Sequence, residues 1–195
     1  LQTLRMQPRP AAEYEEGIDD TLQDIERMER MVRQLLTLAR LDVGDEIPDP
    51  EEIRMDTLLT ALADAFEKQA GQSGAGMVCD SSAPISIWGN ETEIRQLFTN
   101  LLDNALRYGP PKGIVRITLQ DGPDSWVTAC VHDEGGNIPP EKLPCLFDRF
   151  YRVDSSRSQA SGGAGLGLAI ARGIVLRHHG EIAITSDPQT GTSVI

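Results

Sequence analysis

The chain has 195 residues and a mass of 21.3 kDa, enough for one ordinary domain with a helical extension, and too little for two full catalytic domains. It carries 30 acidic and 18 basic residues and 39% hydrophobic residues, which predicts an acidic globular protein and excludes free nucleic acid as a partner. Most of the excess negative charge lies in residues 11–70, where 17 acidic residues face six basic ones.

The N-terminal part of the chain has a helical pattern. Apolar residues recur at spacings of three and four within a helix predicted over residues 19–41, with charged residues between them. Residues 1–7 resemble the end of another helix, which Pro8 and Pro10 would stop. Residues 1–47 therefore predict part of a self-associating helical hairpin, and a single surface helix packed on its own domain is the alternative.

The pattern changes after Pro48, where short apolar runs alternate with helical stretches. Asp56 is predicted as the N-cap of the first of these helices. The predicted strands cover residues 53–55, 77–79, 85–88, 115–119, 126–132, 181–185 and 192–195, and the predicted helices cover 56–69, 91–108 and 164–178. Because there is no regular βαβ repetition, we expect an α+β fold for residues 48–195, a two-layer α/β sandwich with helices on one face of a mixed sheet.

Three polar motifs stand out, and the first lies on the helix predicted over residues 91–108. Asn100 and Asn104 are four residues apart, and Arg107 follows three residues later on the same face. Two amides and a cation on one face suit a hydrated Mg2+ bound to phosphates. A solvated polar face is the alternative.

The second motif is Asp133, which comes directly after a predicted strand and begins the run Asp-Glu-Gly-Gly-Asn-Ile-Pro. A carboxylate there can present one acceptor inside a pocket while the chain turns away. Such an acceptor could bind an exocyclic amine. A simple Asx-type turn is the alternative.

The third motif is the run Gly-Gly-Ala-Gly-Leu-Gly-Leu at residues 162–168, before a predicted helix. Glycines at this place allow backbone N–H groups to approach a polyphosphate. The motif is neither a P-loop nor a dinucleotide fingerprint. Residues 135–172 carry five basic and three acidic residues, so this part of the acidic chain is locally positive and suits an anionic ligand. Within it, residues 134–163 are rich in Gly, Pro and Ser, which predicts a lid.

These motifs, together with Leu-Phe-Asp-Arg-Phe-Tyr-Arg at 146–152 and Thr-Gly-Thr at 190–192, occur in a recognisable order and spacing. They resemble the N, G1, F, G2 and G3 boxes of the ATP-binding domain of two-component sensor histidine kinases, which belongs to the wider family of gyrase and Hsp90-type ATPases. The resemblance covers residues 48–195. Residues 1–47 resemble, less specifically, the second half of the dimerisation and phosphotransfer hairpin.

The resemblance implies ATP and Mg2+ as cofactors and assigns roles to single residues. Asn104, with Asn100 beside it, would be the amide associated with Mg2+, and Asp133 would accept a hydrogen bond from the adenine amino group. Arg149 and Arg152 would support catalysis by reaching phosphate oxygens. The other implied nucleotide contacts are Arg107, Tyr108, Gly135, Asn137, Ile138, Gly163, Gly165, Leu166, Gly167, Leu168 and Thr192. For the two leucines among them, ordinary helix-to-sheet packing is the alternative.

Asn137 departs from the family pattern, which usually has a glycine at this position. Asparagine tolerates the left-handed backbone region, but its side chain would crowd the place where the lid opens. We expect weakened or slowed nucleotide exchange, and therefore faster release from an Asn137→Gly variant. Titration and release kinetics with an ATP analogue test this expectation, and equal affinities with equal release rates would contradict it.

A second departure concerns the phosphoacceptor. The family phosphorylates a histidine on the first hairpin helix, but the histidines of this chain are His132, His178 and His179, all outside residues 1–47. No residue is therefore a certain catalytic group, and we do not expect this chain to autophosphorylate by itself. The expected His-Glu-Leu-Arg-Thr-Pro stretch would lie before Leu1, and truncation, disorder and natural loss are the alternative explanations for the missing histidine.

The main interpretation of the sequence is a protein-histidine kinase core that transfers the γ-phosphoryl group of Mg-ATP to a histidine, for relay to a response-regulator aspartate. The alternative is a non-catalytic nucleotide-binding or dimerisation module. A gyrase-like or Hsp90-like hydrolase is a third reading, for which Glu93 and Gln96 are poorly placed as a water-activating base.

The expected partners are a response regulator receiver domain and a second copy of this chain bound through the hairpin, with no nucleic acid.

Cys79, Cys130 and Cys145 form no Cys-x-x-Cys motif, which indicates reduced thiols rather than a disulfide framework or a zinc site. No run approaches the roughly 18 apolar residues of a membrane span. We expect a cytoplasmic segment without direct membrane contact, from a parent protein anchored in the bacterial inner membrane.

Overall fold

The computed structural model describes residues 11–44, 46–81, 83–136, 138–153 and 164–195. Three of the sequence predictions lie outside these residues: the first hairpin helix at residues 1–7, and the roles of Asn137 and Gly163. The lid predicted over residues 134–163 is described only up to Val153. The described part of this lid includes a short 3-10 turn, Pro140–Cys145.

The described chain alternates helices and strands. The helices are α1 (Ala11–Asp42), α2 (Met55–Ser73), α3 (Glu91–Tyr108) and α4 (Gly167–Arg177). The strands are β1 (Glu51–Arg54), β2 (Gly76–Ser81), β3 (Ser86–Gly89), β4 (Ile114–Asp121), β5 (Val127–Asp133), β6 (Ile184–Asp187) and β7 (Gly191–Val194).

Five of these strands form one mixed sheet in the order β2-β4-β5-β7-β6. β2 runs parallel to β4, and the other neighbours are antiparallel. The strands β1 and β3 form a separate two-stranded antiparallel sheet. Helices α2 and α3 contact the five-stranded sheet, and α4 packs on α3. The predicted α+β sandwich is confirmed.

The core lies between the sheet and its helices. On β4, Val115, Ile117 and Leu119 alternate with exposed or half-buried residues, as expected for a strand with one buried face. Helix α3 turns its apolar stripe to this face, with Leu102 fully buried. Helix α3 also contacts β5 and α4, and its half-buried residue Asn100 lies next to Gly167 at the start of α4.

The start of α2 differs from the prediction. The N-cap is Arg54 rather than Asp56, and no side chain caps the helix. Asp56 lies in the first helical turn and accepts two hydrogen bonds from the Arg54 guanidinium, which lowers the pKa of its carboxyl to about 2. The local ion pair therefore replaces the capping bond that the sequence pattern favoured.

Helix α1 is longer than predicted and packs on the domain only through its last turns. Ile25, Met28 and Val32 are each more than half exposed, whereas Leu38 is buried. Leu41 lies against Gly173 of α4. Among the described residues, no helix is both long enough and apolar enough to cross a bilayer.

Candidate functional site

Asp133 ends β5 with its side chain inside the fold, 8% exposed. Its Oδ1 accepts a hydrogen bond of 2.8 Å from the N–H of Gly135, two residues later, which is the Asx-type turn that the sequence analysis gave as the alternative. The other carboxylate oxygen has no hydrogen-bond donor among the described residues. A cavity of about 10 Å3 borders Asp133, and Ala105 of α3, Gly109 and Val115 of β4 are among the residues that line it.

The environment of Asp133 disfavours its charge. Burial raises the pKa of this carboxyl to about 6, and the hydrogen bond from Gly135 only partly opposes the shift. No cation of the described chain pairs with it. A buried acceptor with a raised pKa and one uncompensated oxygen is the kind of group that a ligand donor would stabilise.

The second part of the site lies where the N-terminus of α4 meets the middle of α3. Asn100 contributes a buried Nδ2 group that has no hydrogen-bond acceptor in the described chain. A Cβ atom added at Gly167 would lie 3.8 Å from the Asn100 side chain, so the glycine turn and the amide are direct neighbours. What Asn100 lacks is an acceptor, as a phosphate oxygen or a metal-bound water would supply.

The turn before α4 requires glycine. Gly165 has a φ of 71°, and a Cβ atom there would approach the backbone oxygen of Tyr151 to 2.8 Å. Its carbonyl oxygen accepts a hydrogen bond from Phe150 N–H, and Phe150 itself has a φ of 64°, which is rare for a bulky residue. This strained residue, which no sequence signal predicted, connects residues 146–152 to the glycine turn.

Arg149, which was predicted to reach phosphate oxygens, forms an ion pair with Asp42. Its guanidinium donates to both carboxylate oxygens of Asp42, at 2.6 and 2.8 Å, and so joins this stretch to the end of α1. Both side chains are about half exposed, so the pair is a surface ion pair. Helical periodicity could not predict this contact, because the partners are 107 residues apart.

The other predicted residues are distributed around these two parts. Thr192 is buried and donates a 2.7 Å hydrogen bond to the carbonyl oxygen of Gly135, and so lies beside Asp133. The side chains of Arg107 and Tyr108 are exposed on the last turn of α3. The half-buried residues are Asn104, Ile138, Arg152 and Leu168, and Leu166 is fully buried.

A buried charged network lies at the opposite end of α3 and α4. Arg177 donates to a Glu93 carboxylate oxygen at 2.7 Å and to the carbonyl oxygen of Arg40 at the end of α1. His178 accepts a hydrogen bond from Asn90 N–H and lies 2.8 Å from the carbonyl oxygen of Ile174, so it has a structural role. Because Glu93 is ion-paired, it is not available as a water-activating base.

A wider groove of about 640 Å3 lies elsewhere, on α2 and the loop between β2 and β3. It contains none of the predicted nucleotide contacts. Asp56, Thr60 and Asp64 are among the residues that line it.

Comparison with known proteins identifies the family of this chain. Residues 89–195 match the model of the family described as histidine kinase-, DNA gyrase B- and HSP90-like ATPases. The chain is 37% identical over 191 residues to the sensor histidine kinase CusS of Escherichia coli O157:H7, covering 97% of this chain and 39% of that protein. It is 34% identical over 167 residues to the phosphate regulon sensor protein PhoR of Pseudomonas aeruginosa, covering 86% and 38%.

Solved structures share the fold. The cytoplasmic segment of histidine kinase QseC has a TM-score of 0.60 at 27% identity, covering 87% of this chain and 91% of that one. Full-length ShkA in complex with AMPPNP has a TM-score of 0.81 at 22% identity, covering 96% and 39%. The chain spans about two fifths of the length of its curated relatives CusS and PhoR. Since the family model matches more than half of the chain, this protein belongs to the histidine kinase-, DNA gyrase B- and HSP90-like ATPase family and carries the catalytic domain of a sensor histidine kinase.

Proposed function

We propose that this domain binds Mg-ATP and delivers the γ-phosphoryl group to a histidine on an intact hairpin, for relay to an aspartate of a response regulator. The observation that carries the proposal is the buried carboxylate of Asp133, which has one oxygen without a donor in the described chain. An exocyclic amine would supply that donor. The kinase names of the curated relatives support the same reaction class.

The base would bind at the Asp133 end of α3. Asp133 would accept from the adenine amino group, while Ile138 would form the apolar wall and the ring of Tyr108 would cover an edge of the base. Thr192 supports this side through its hydrogen bond to Gly135. Guanine has a carbonyl oxygen in place of the amine, so two acceptors would face each other and the site would prefer adenine.

The phosphates would bind between Asn100 and the turn before α4. The unpaired Nδ2 donor of Asn100 fits a phosphate oxygen or a metal-bound water, and the half-buried Asn104 has an amide oxygen that could hold Mg2+. When bound, Mg2+ would neutralise phosphate charge. Gly165 and Gly167 allow backbone N–H groups to approach, and Gly163, which lies outside the described residues, stays a predicted contact. Arg107, Arg149 and Arg152 would contribute positive charge.

Helix α1 suits the proposed homodimer. Its residues from Ile18 to Leu36 leave an apolar seam more than one third exposed in the single chain, including Leu22 and Leu35. A second copy would cover this seam as a helical bundle. We also propose a receiver domain as the phosphoryl acceptor of the whole protein, and an anchor in the inner membrane outside this segment.

The ion pair between Asp42 and Arg149 predicts a modest effect of an Asp42→Asn substitution. Phosphate would compete with Asp42 for the guanidinium, so removing the carboxylate charge should raise affinity for an ATP analogue. Exposed ion pairs contribute about 0.2–1 kcal/mol, which corresponds to an increase of about 1.4- to 5-fold. Fluorescence titration measures this change in affinity for the ATP analogue. Asp24→Asn is the matched control, because Asp24 is another exposed residue of α1. Equal affinities for both variants and the unsubstituted protein would remove Arg149 from the phosphate site.

The reaction itself can be tested by mixing. The chain is incubated with γ-labelled ATP and a separate hairpin fragment that carries the phosphoacceptor histidine. Acid-labile, base-stable label on the fragment is the expected result. Release of free phosphate would instead support a hydrolase, and nucleotide binding without either product would support the non-catalytic module.

A further inference from the structure

Three side chains lie side by side across three neighbouring strands. Thr192 of β7 is the register partner of Asp133 on β5 and of Ser186 on β6. Directly opposed residues of a sheet share one face, so Ser186, Thr192 and Asp133 form a row on the inner face. Asp133 and Thr192 are buried and Ser186 is half-buried. Ser186 has no role in the predictions from sequence.

Hydrogen bonds connect this row to the turn after β5. Ile138 N–H donates to Ser186 Oγ at 3.3 Å, Ser186 Oγ lies 2.9 Å from Thr192 Oγ1, and Thr192 Oγ1 donates to the Gly135 carbonyl oxygen at 2.7 Å. Each hydroxyl has one proton. Since the Thr192 proton goes to Gly135, Ser186 must be the donor between the two hydroxyls. The chain of bonds therefore has one direction and holds the turn on both sides of residue 136.

We propose that Ser186 is a positioning residue that sets the preference for adenine over guanine nucleotides. It acts through two groups of the proposed base site. Ser186 Oγ accepts a hydrogen bond from the backbone N–H of Ile138. Through Thr192, Ser186 also holds the carbonyl oxygen of Gly135. The N–H of Gly135 in turn fixes Oδ1 of Asp133. This inference rests on the proposed nucleotide binding and adds a residue that holds Asp133 in the position its selectivity requires.

Selectivity for adenine depends on the rigidity of the turn after β5. Rejection of guanine requires that the Asp133 carboxylate cannot turn away from the guanine carbonyl oxygen. The turn backbone is closely packed here, since a Cβ atom at Gly136 would approach the Asp187 carbonyl oxygen to 2.5 Å. Removing the Ser186 hydroxyl leaves Ile138 N–H without its acceptor and Thr192 without its donor. The turn then gains freedom, so the Asp133 carboxylate can move away from the guanine carbonyl oxygen.

The test compares ATP and GTP analogues by calorimetry for the unsubstituted chain and for Ser186→Ala. We expect affinity for the ATP analogue to fall about 3- to 10-fold while affinity for the GTP analogue changes less, so that the preference for adenine shrinks. Ser186→Thr, which keeps the hydroxyl, should restore the preference. Thr185→Ala is the matched control, because this neighbouring hydroxyl is exposed.

Each outcome bears on the proposal. A loss of preference in Ser186→Ala with restoration by Ser186→Thr supports it, since damage to the fold would weaken both nucleotides equally. An unchanged preference in a Ser186→Ala variant that binds ATP overturns the role of Ser186 and leaves the proposed function standing. Failure of the unsubstituted chain to bind either nucleotide overturns both.

Discussion

An Asp133→Asn variant should lose most of its affinity for adenine nucleotides, by about 5- to 150-fold. The Gly135 N–H group needs an acceptor, so the amide oxygen would face Gly135 and the amide nitrogen would face the ligand. The amide nitrogen and the adenine amino group, both donors, would then oppose each other, whereas in the unsubstituted chain a carboxylate oxygen faces the amino group. Leaving buried polar groups unpaired costs about 1–3 kcal/mol. Isothermal calorimetry with a non-hydrolysable ATP analogue measures the loss.

The same substitution should stabilise the folded protein at neutral pH. Burial raises the pKa of Asp133 from 3.8 to about 6, so the folded state binds this proton more tightly than the unfolded state. The free energy of unfolding therefore falls as the pH rises from about 4 to about 6, and stays lower above it. Asparagine carries no charge, and we expect Asp133→Asn to gain about 1–3 kcal/mol at pH 7.5.

Urea unfolding at pH 4 and pH 7.5 checks this second effect. The difference in free energy of unfolding between Asp133→Asn and the unsubstituted chain should be larger at pH 7.5 than at pH 4. A variant that is more stable but binds nucleotide poorly separates the function of Asp133 from folding. Unchanged affinity in Asp133→Asn would exclude the carboxylate as the adenine acceptor, and reduced stability at pH 7.5 would contradict the cost of burying its charge.

The other large effect is expected at Arg177, whose side chain is 7% exposed. An Arg177→Ala substitution leaves the Glu93 carboxylate, itself 17% exposed, without its cation, and removes the donor to the Arg40 carbonyl oxygen. Breaking a buried ion pair on one side costs about 3–5 kcal/mol. Urea unfolding should show this loss, and limited proteolysis should show earlier cleavage of α1, because its end is no longer held on α4.

Two further variants make the Arg177 experiment specific. Arg172→Ala removes an exposed arginine from the same helix and should change stability by no more than about 0.5 kcal/mol. Arg177→Met combined with Glu93→Leu replaces both charges with apolar groups and should regain much of the lost stability. Equal destabilisation by the single and double variants would show that packing, not charge, holds this junction.

The sequence predicted those parts of the fold that local pattern determines. Helix α3 was predicted with the bounds that it has, because a long amphipathic period begins after the cap Asn90 and ends at Gly109. The turn after Asp133 was also predictable from local chemistry. The N-cap of α2 was not, because Arg54 captures Asp56 in an ion pair two residues away.

Contacts between distant residues could not be read from the sequence. The Arg149 pair with Asp42 and the Arg177 bond to Arg40 depend on how α1 lies against α4, and no periodicity encodes that placement. The row of Ser186, Thr192 and Asp133 depends on strand order, which places β7 between β5 and β6. Local motifs thus identified many residues of the candidate site, while the residues that position them required the fold.

The proposed function requires that this chain binds Mg-ATP in the site formed by α3, the turn after β5 and the turn before α4. Calorimetric titration of AMPPNP into the chain, with Mg2+ and then with the metal chelated, tests it most directly. We predict one nucleotide per chain, with weaker binding when the metal is removed. No binding under either condition would contradict the account.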